Sequence, residues 1–355
     1  MRKKGYIVLE NGYIAEGELF AAEREAFAQI VFSTAMVDCL HTLTDPGYLG
    51  QMVAQTFPMI GNYGVIHDEF ESEKPVLSAY ILRELCDMPS NFRSEGGLEA
   101  WLCEAGIPGI SGIDTRAIAK ILRSQGVMNA ALLHEKPTDM EALQKKLSAL
   151  PYGPSIADVS CKQPHTQGSG SKQVVLVDYG VKRSLVEKFV QCGCSVTCVP
   201  HSTEAQAILG LKPDGIVLSN GPGNPNDNQA EISVIRQLKA SGIPLLGICL
   251  GHQMLALSQG GSSEKLVYGH RGANQPVRDT KTGISYTSSQ NHGYAVKALP
   301  ANAAVSFINI NDGTCEGLEY LDSPAFSTQF IPGASGGAHD TEFIFDRFID
   351  RMGGK

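Results

Sequence analysis

The stretch from Ile243 to Leu257 constrains the fold more than any other part of the chain. It reads Ile-Pro-Leu-Leu-Gly-Ile-Cys-Leu-Gly-His-Gln-Met-Leu-Ala-Leu. An apolar run ends at Gly247, Cys249 lies between Gly247 and Gly251, and a helical pattern begins at once. Gly-x-Cys-x-Gly is the thiol form of the nucleophile elbow, in which two glycines permit a tight turn from strand to helix. The pattern predicts that Cys249 is a nucleophile at the end of a sheet strand.

Such a turn would lift the sulfur out of the sheet and direct backbone N–H groups toward the same space. The helix N-terminus that follows would favour thiolate over thiol. The alternative is a buried structural cysteine at the end of a core strand. The flanking glycines at a strand–helix junction favour the nucleophile.

Strands and helices alternate after residue 172, and short apolar strands precede each helix up to Cys249. This alternation predicts an α/β domain over residues 173–355, with a doubly wound, mostly parallel sheet covered on both faces. Ligands of such sheets bind at the carboxyl ends of the strands. Two loops are expected at that edge. One carries Cys249, and the other is the glycine-rich segment Ser219–Pro225. Because no Gly-Lys-Ser/Thr follows these glycines, they do not form a phosphate loop.

The first part of the chain, residues 1–160, shows no catalytic pair. Its short strands, ordered loops and helices predict an α+β domain, with one helix at residues 114–125 that begins at Asp114 or Thr115 and stops at Gly126. Residues 161–172 are polar, rich in glycine and serine and without periodicity, so we expect a linker there.

Composition limits the function classes. The net charge of −8 argues against nucleic acid as a partner, and no stretch is long and apolar enough to span a bilayer. The start of the chain lacks the apolar core of a signal peptide, so we expect a cytoplasmic protein whose nine cysteines are reduced. Cys192, Cys194 and Cys198 lie close together, but no second ligand pair completes a metal site, and we expect no metal.

The second domain resembles the class I glutamine amidotransferases, and the whole chain resembles the small, glutamine-hydrolysing subunits of carbamoyl-phosphate synthetases. The first domain makes the likeness specific, because other amidotransferases share the cysteine elbow but lack that domain. The segments that carry the resemblance are Phe32–Met36, Leu43–Pro46, Pro58–Gly64, Ser90–Arg93, Gly112–Arg116, Leu218–Gly223, Gly247–Gln253, Gly269–Asn274 and Gln290–Tyr294.

The resemblance implies that Cys249 attacks the side-chain amide of glutamine and forms a glutamyl thioester. It further implies that the N–H groups of Leu250 and Gly221 form the oxyanion hole. The positions that match residues holding glutamine in the family are Gln253, Asn291, Gly293 and Tyr294, with Gly223 beside them and Gly47 in the first domain.

The same resemblance implies a partner. In this family the ammonia passes through a tunnel to a large subunit, which makes carbamoyl phosphate from bicarbonate and ATP for arginine or pyrimidine synthesis. We therefore expect a heterodimer or a higher oligomer, L-glutamine as substrate, no cofactor in this chain, and ATP, Mg²⁺ and bicarbonate on the large subunit.

The chain departs from the family at the catalytic triad. Where the family has His-Pro-Glu, this chain has Ile331, Pro332 and Gly333. Neither Ile331 nor Gly333 can accept a proton, so the thiol lacks the base that would activate it and protonate the departing ammonia. His252, His292 and His339 match family histidines with other roles, and we do not expect them to substitute.

Two further departures lie in the first domain. Gly47 stands where the family often has a glutamine-contacting serine, and residues 37–41 differ from the usual Thr-Gly-Tyr-Gln-Glu.

Three hypotheses for the function follow from the sequence. The chain is a small subunit with impaired glutamine hydrolysis, or a pseudo-glutaminase that binds the large subunit while the complex uses free ammonia, or a protein that uses Cys249 for other acyl or thiol chemistry. No feature of the sequence favours the third.

Overall fold

The computed structural model describes residues 2–37, 39–151, 153–333, 337 and 339–353. Internal contacts divide the chain into two compact units, residues 1–154 and 155–355. In the described part of the chain, no helix has the length and apolar character needed to cross a membrane.

The first unit is built around a closed sheet of seven strands in the order β1-β2-β8-β6-β4-β3-β9, with a separate pair formed by β5 and β7. Its strands are β1 Lys4–Leu9, β2 Ile14–Ala21, β3 Ala26–Ser33, β4 Met52–Gln55, β5 Met59–Ile60, β6 Ala79–Ile81, β7 Glu84–Leu85, β8 Pro108–Ser111 and β9 Met128–Leu133. Its helices are α1 Cys39–Thr44, α2 Leu98–Glu104, α3 Thr115–Gln125 and α4 Met140–Ser148.

Helix α3 has the ends that its sequence predicts. The Asp114 carboxylate accepts a hydrogen bond from the Ala117 N–H at 3.0 Å, which satisfies one of the unpaired amides of the first turn. Gly126 ends the helix with a φ of 93°. The two capping residues therefore determine where this helix begins and stops.

The second unit contains one ten-stranded sheet in the order β10-β12-β11-β13-β14-β19-β18-β17-β15-β16. Its strands are β10 His165–Gln167, β11 Lys172–Asp178, β12 Cys194–Pro200, β13 Gly215–Leu218, β14 Leu245–Ile248, β15 Ser262–Asp279, β16 Ser285–Ala298, β17 Ala303–Asn309, β18 Cys315–Tyr320 and β19 Ala325–Thr328. Its helices are α5 Arg183–Gln191, α6 Ala205–Gly210, α7 Gln229–Ala240, α8 Leu250–Ser258 and α9 Phe343–Gly353.

Strands β12, β11, β13, β14 and β19 are parallel neighbours, as the alternation of strands and helices predicts. Their side chains alternate between two buried clusters. Val175 and Val177 of β11 belong to one cluster, whereas Val174 and Leu176 belong to the other. Such burial on both faces explains why these strands are continuous apolar runs rather than alternating ones.

The structure differs from the sequence prediction in two places. Residues 161–172 do not form a free linker, because His165–Gln167 pairs antiparallel with β12 and Lys172 begins β11. The polar composition of Ser289–Tyr294 predicts a loop after a strand at residues 284–287, but this segment is the middle of the long strand β16, which pairs with β15 in an antiparallel extension of the sheet. The His165–Gln167 strand is exposed at the edge of the sheet, whereas the polar residues Ser289, Gln290 and His292 are buried.

Candidate active site

The elbow at Cys249 has the predicted geometry. Strand β14 ends at Ile248, helix α8 begins at Leu250, and Cys249 between them has φ 53° and ψ −105°. A non-glycine residue with positive φ is strained, and such strain persists only where the surrounding structure enforces it. The strand–turn–helix prediction for this segment is confirmed.

The two flanking glycines are required by close packing. A Cβ atom on Gly251 would lie 2.3 Å from the carbonyl oxygen of Leu218, and one on Gly247 would lie 2.8 Å from the carbonyl oxygen of Gly251. No side chain fits at either distance. The Gly251 N–H also donates to the Ser219 carbonyl at 3.1 Å, which ties the start of α8 to the end of β13.

The Cys249 thiol is buried, with 2% of the residue exposed. Its S–H group donates to the Asn291 carbonyl over 3.6 Å, and the Gln329 side-chain amide donates to the sulfur over 3.7 Å. The amide of Gln253 in turn donates to the Tyr294 carbonyl at 2.7 Å and to Gln329 Oε1 at 3.0 Å. Two polar groups therefore contact the sulfur, and Gln253 and the Tyr294 carbonyl continue the hydrogen-bonded network beyond Gln329.

Gln329 is a site residue that sequence reasoning did not assign. It directly follows β19, the parallel neighbour of β14, so its side chain emerges at the same sheet edge as Cys249. The sequence carries no local signal for this residue, because its position beside Cys249 depends on the pairing of β19 with β14.

The predicted oxyanion-hole amides are present at the elbow and in the neighbouring loop. Leu250 is the first residue of α8, and Gly221 packs so closely that a Cβ atom would lie 2.2 Å from the Tyr179 carbonyl oxygen. Neither N–H donates a hydrogen bond to another described residue. Both amides are therefore available to an oxyanion, and Gly223, with a φ of 93°, shapes the same loop.

The two positions at which the sequence predicts a departure from the family's triad lack polar side chains. Ile331 is 3% exposed, belongs to the same buried cluster as Cys249, and donates its N–H to the Ser289 carbonyl at 2.9 Å. Gly333 has a φ of 59°, and a Cβ atom there would lie 3.0 Å from the Phe345 ring and 3.3 Å from Glu342 Cγ. Ile331 and Gly333 are therefore closely packed, and neither side chain provides a proton acceptor.

The other histidines have their own partners. His252 is fully buried with its Nδ1 2.7 Å from Ser327 Oγ, and burial lowers the pKa of its ring to about 3. The His292 ring contacts the Tyr294 carbonyl and Gln290, and its burial, followed by the charge of His270, lowers its pKa well below the usual value. His339 is largely exposed, and its Nδ1 contacts the Glu342 carboxylate at 2.5 Å. Both buried rings are therefore neutral at neutral pH.

The remaining predicted positions are distributed over the two units. Gly47 lies in the first unit, in the short helical turn Pro46–Tyr48, and donates its N–H to the Asp45 carboxylate at 2.8 Å. Asn291, Gly293 and Tyr294 lie on β16 in the second unit. In the altered segment 37–41, residue 38 lies outside the described residues, and Cys39–His41 begin α1.

Comparisons with known proteins match both units. The model of the class-I glutamine amidotransferase family matches residues 175–351, and that of the carbamoyl-phosphate synthase small chain, CPSase domain, matches residues 7–132. A carbamoyl phosphate synthase small chain from Clostridium perfringens is 40% identical over 98% of this chain and 99% of its own length.

This chain belongs to the carbamoyl phosphate synthase small-chain family. A small chain from Staphylococcus saprophyticus is 44% identical and a pyrimidine-specific small chain from Halalkalibacterium halodurans is 43% identical, and each alignment covers 97% of the relative. The family resemblance and the fold class predicted from the sequence are therefore confirmed.

Proposed function

We propose that this chain is the small subunit of a glutamine-dependent carbamoyl-phosphate synthase and that its own hydrolysis of glutamine is impaired. Its partner is a large subunit that binds ATP, Mg²⁺ and bicarbonate. The observation that carries the proposal is the combination of an intact nucleophile elbow with Ile331 and Gly333 at the triad positions.

The retained parts support binding and attack. Cys249 is held in the strained elbow, and the Leu250 and Gly221 amides can stabilise an oxyanion. Gln253 is hydrogen-bonded to Gln329, which in turn donates to the sulfur. Attack of the sulfur on the glutamine amide carbon would form the thioester as the C–N bond breaks. The departing nitrogen leaves as ammonia only after it gains a proton.

The missing parts limit that proton transfer. In the family a histidine takes the thiol proton and delivers it to the leaving nitrogen, and a glutamate orients the ring. Ile331 and Gly333 can do neither. In comparable triads the loss of the base lowers kcat by on the order of 10⁴–10⁶. The thioester therefore forms and hydrolyses slowly.

The second candidate is a pseudo-glutaminase that supports the large subunit while the complex uses free ammonia. The observation that favours it is the buried, apolar packing of Ile331 in the cluster that includes Cys249. Both candidates share the partner and differ in whether glutamine reaches a reactive sulfur.

Covalent trapping separates the two candidates. We would treat the complex of both subunits with a diazoketone analogue of glutamine and locate the adduct by mass spectrometry, with Cys249→Ser as the control. We expect a slow adduct on Cys249 that free glutamine suppresses. The complex could instead make carbamoyl phosphate from ammonium while Cys249 never reacts. That result would support the pseudo-glutaminase hypothesis and exclude thioester chemistry.

A further inference from the structure

A buried arginine lies beside the residues that the family resemblance assigns to glutamine. Arg271 on β15 is the partner of Asn291 on β16 in the antiparallel pair, and only 7% of the arginine is exposed. Burying a guanidinium is costly unless polar or charged groups surround it. The proposed thioester chemistry does not involve this cation.

A β-bulge in β15 directs the arginine side chain. The register of the β15–β16 pair shifts across residues 266–269, and Gly269 has a φ of 70°. A Cβ atom on Gly269 would lie 2.3 Å from the His292 carbonyl oxygen, so no side chain fits there. Arg271 Nη1 donates to the Tyr268 carbonyl at 2.6 Å and so holds the bulge. Bulges often lie next to active sites, where they re-aim a side chain.

The guanidinium lies over Gly293. Residues opposite one another in an antiparallel pair, and residues two apart along a strand, have their side chains on the same face of the sheet. Arg271, Asn291 and Gly293 therefore share one face. Among the described residues, and apart from the chain neighbours of the glycine, Arg271 Nη2 is the one atom within 4 Å of the position of a Cβ on Gly293, at 3.3 Å. The glycine leaves open space there, and the guanidinium borders it.

The nucleophile lies near the same segment of β16. Cys249 Sγ is 3.6 Å from the Asn291 carbonyl oxygen, and a strand advances about 7 Å over the two residues from Asn291 to Gly293. The sulfur and the guanidinium therefore lie toward opposite ends of this short segment. Glutamine has its side-chain amide at one end and its α-carboxylate at the other, and its length is comparable to that separation. A glutamine whose amide carbon contacts the sulfur would bring its carboxylate toward Arg271.

Arg271 carries its charge in this part of the site. Burial is the main cause of the low pKa of the His292 ring, and the charges of His270 and Arg271 lower that pKa further. The ring of His292 is therefore neutral, whereas a guanidinium stays protonated at any physiological pH. Its planar arrangement of N–H groups matches the geometry of a carboxylate.

We propose that Arg271 binds the α-carboxylate of glutamine and so determines specificity for the free amino acid over ligands with a neutral end. This role rests on the proposed function, which makes glutamine the ligand of the site. The Tyr268 carbonyl holds Nη1, and Nη2 borders the open space beside Gly293. A substrate carboxylate in that space would give the buried cation an opposite charge.

Ligand discrimination tests this assignment. We would measure by calorimetry the binding of L-glutamine and of its α-carboxamide, L-glutaminamide, to the complex of both subunits, with Cys249→Ser as the background so that no thioester forms. At pH 6.5 the α-amino group of both ligands is protonated, so the ligands differ at the carboxyl group alone. We expect glutamine to bind about 10–100-fold more tightly than the amide, because only glutamine offers an anion to Arg271.

Variants at position 271 assign the preference to the guanidinium. Arg271→Gln should weaken glutamine binding about 10–100-fold and leave the affinity for the amide nearly unchanged, so that the preference disappears. Arg271→Lys keeps the charge without the planar fork and should retain part of the preference. The matched control is Arg278→Gln, which removes an exposed cation from the same strand and should bind both ligands like the background.

The outcomes separate this role from a structural one and from the proposed function. An arginine that only holds the bulge would, when replaced, weaken both ligands equally or neither, and either result would overturn the proposal. Equal affinities of the background complex for the two ligands would overturn it as well, and that comparison does not depend on whether Arg271→Gln folds. Glutamine binding without any preference would reject the role of Arg271 alone. A complex that uses ammonium but binds neither ligand would reject glutamine as the ligand too.

Discussion

At the scale of single residues, positions 331 and 333 differ in how well each would accommodate the histidine or the glutamate that the family's triad has there. Ile331 pairs with Ser289 in an antiparallel bridge and is buried in the cluster that includes Cys249, and the imidazole of a histidine is an aromatic side chain of comparable size. Gly333 has a left-handed φ of 59° and lies against Phe345 and Glu342. A glutamate there costs about 1–2 kcal/mol of conformational strain before any contact is counted.

Restoring both groups should restore hydrolysis in part. We expect Ile331→His/Gly333→Glu to raise kcat for ammonia release from glutamine at least tenfold above the wild type, because a base regains access to the thiol proton. The strain at position 333 should keep the variant below relatives with a native triad. The measurement is steady-state glutaminase activity in the presence of the large subunit.

The control for this gain is Cys249→Ser in the same background, which should abolish it. A folded double variant with no gain would show that the loss lies elsewhere. The altered first-domain positions, Gly47 and residues 37–41, would then be the next to restore.

At the scale of elements, the elbow was predictable and its surroundings were not. Two glycines around a cysteine at the end of an apolar run specify a strand–turn–helix unit locally, and the structure has it at Leu245–Ile248 and Leu250–Ser258. The ends of α3 were predictable for the same reason. The contact between Gln329 and Cys249 was not, because it depends on β19 pairing with β14 across 80 residues of sequence.

The long hairpin of β15 and β16 was also missed. Several of its buried positions, such as Gln290 and His292, are polar, and its pairing contains register shifts that interrupt the alternation of apolar and polar residues. The buried polar residues His270, His292 and Glu316 come together only through that pairing and its extension to β18. Non-local sheet order therefore limited what the sequence alone could predict about the site.

The elbow element should be intolerant of a single added methyl group. We expect Gly251→Ala to lower the free energy of unfolding by about 1–3 kcal/mol, because its Cβ would lie 2.3 Å from the Leu218 carbonyl oxygen. Gly210→Ala is the matched control, because Gly210 has open space around its Cβ position. Thermal unfolding of the two variants should show a lower Tm for Gly251→Ala alone. Equal Tm values would mean that the elbow can relax without cost.

At the scale of the whole molecule, the family membership covers nearly the entire chain, whereas the departures concern a few positions. Relatives align over 98–99% of this chain, and both units match their family models. If the triad base is lost as we propose, a chain that keeps both units and the elbow should still support its partner. We therefore expect association and hydrolysis to be separable properties of this small chain.

The most direct test of this account is carbamoyl phosphate formation by this chain with its cognate large subunit, measured once with glutamine and once with ammonium. We expect turnover with ammonium, and turnover with glutamine that is lower by a factor on the order of 10³ or more, because the base of the triad is absent. Cys249→Ser should leave the ammonium reaction unchanged. Comparable turnover with glutamine and with ammonium would contradict the central claim and would require another proton acceptor within reach of Cys249.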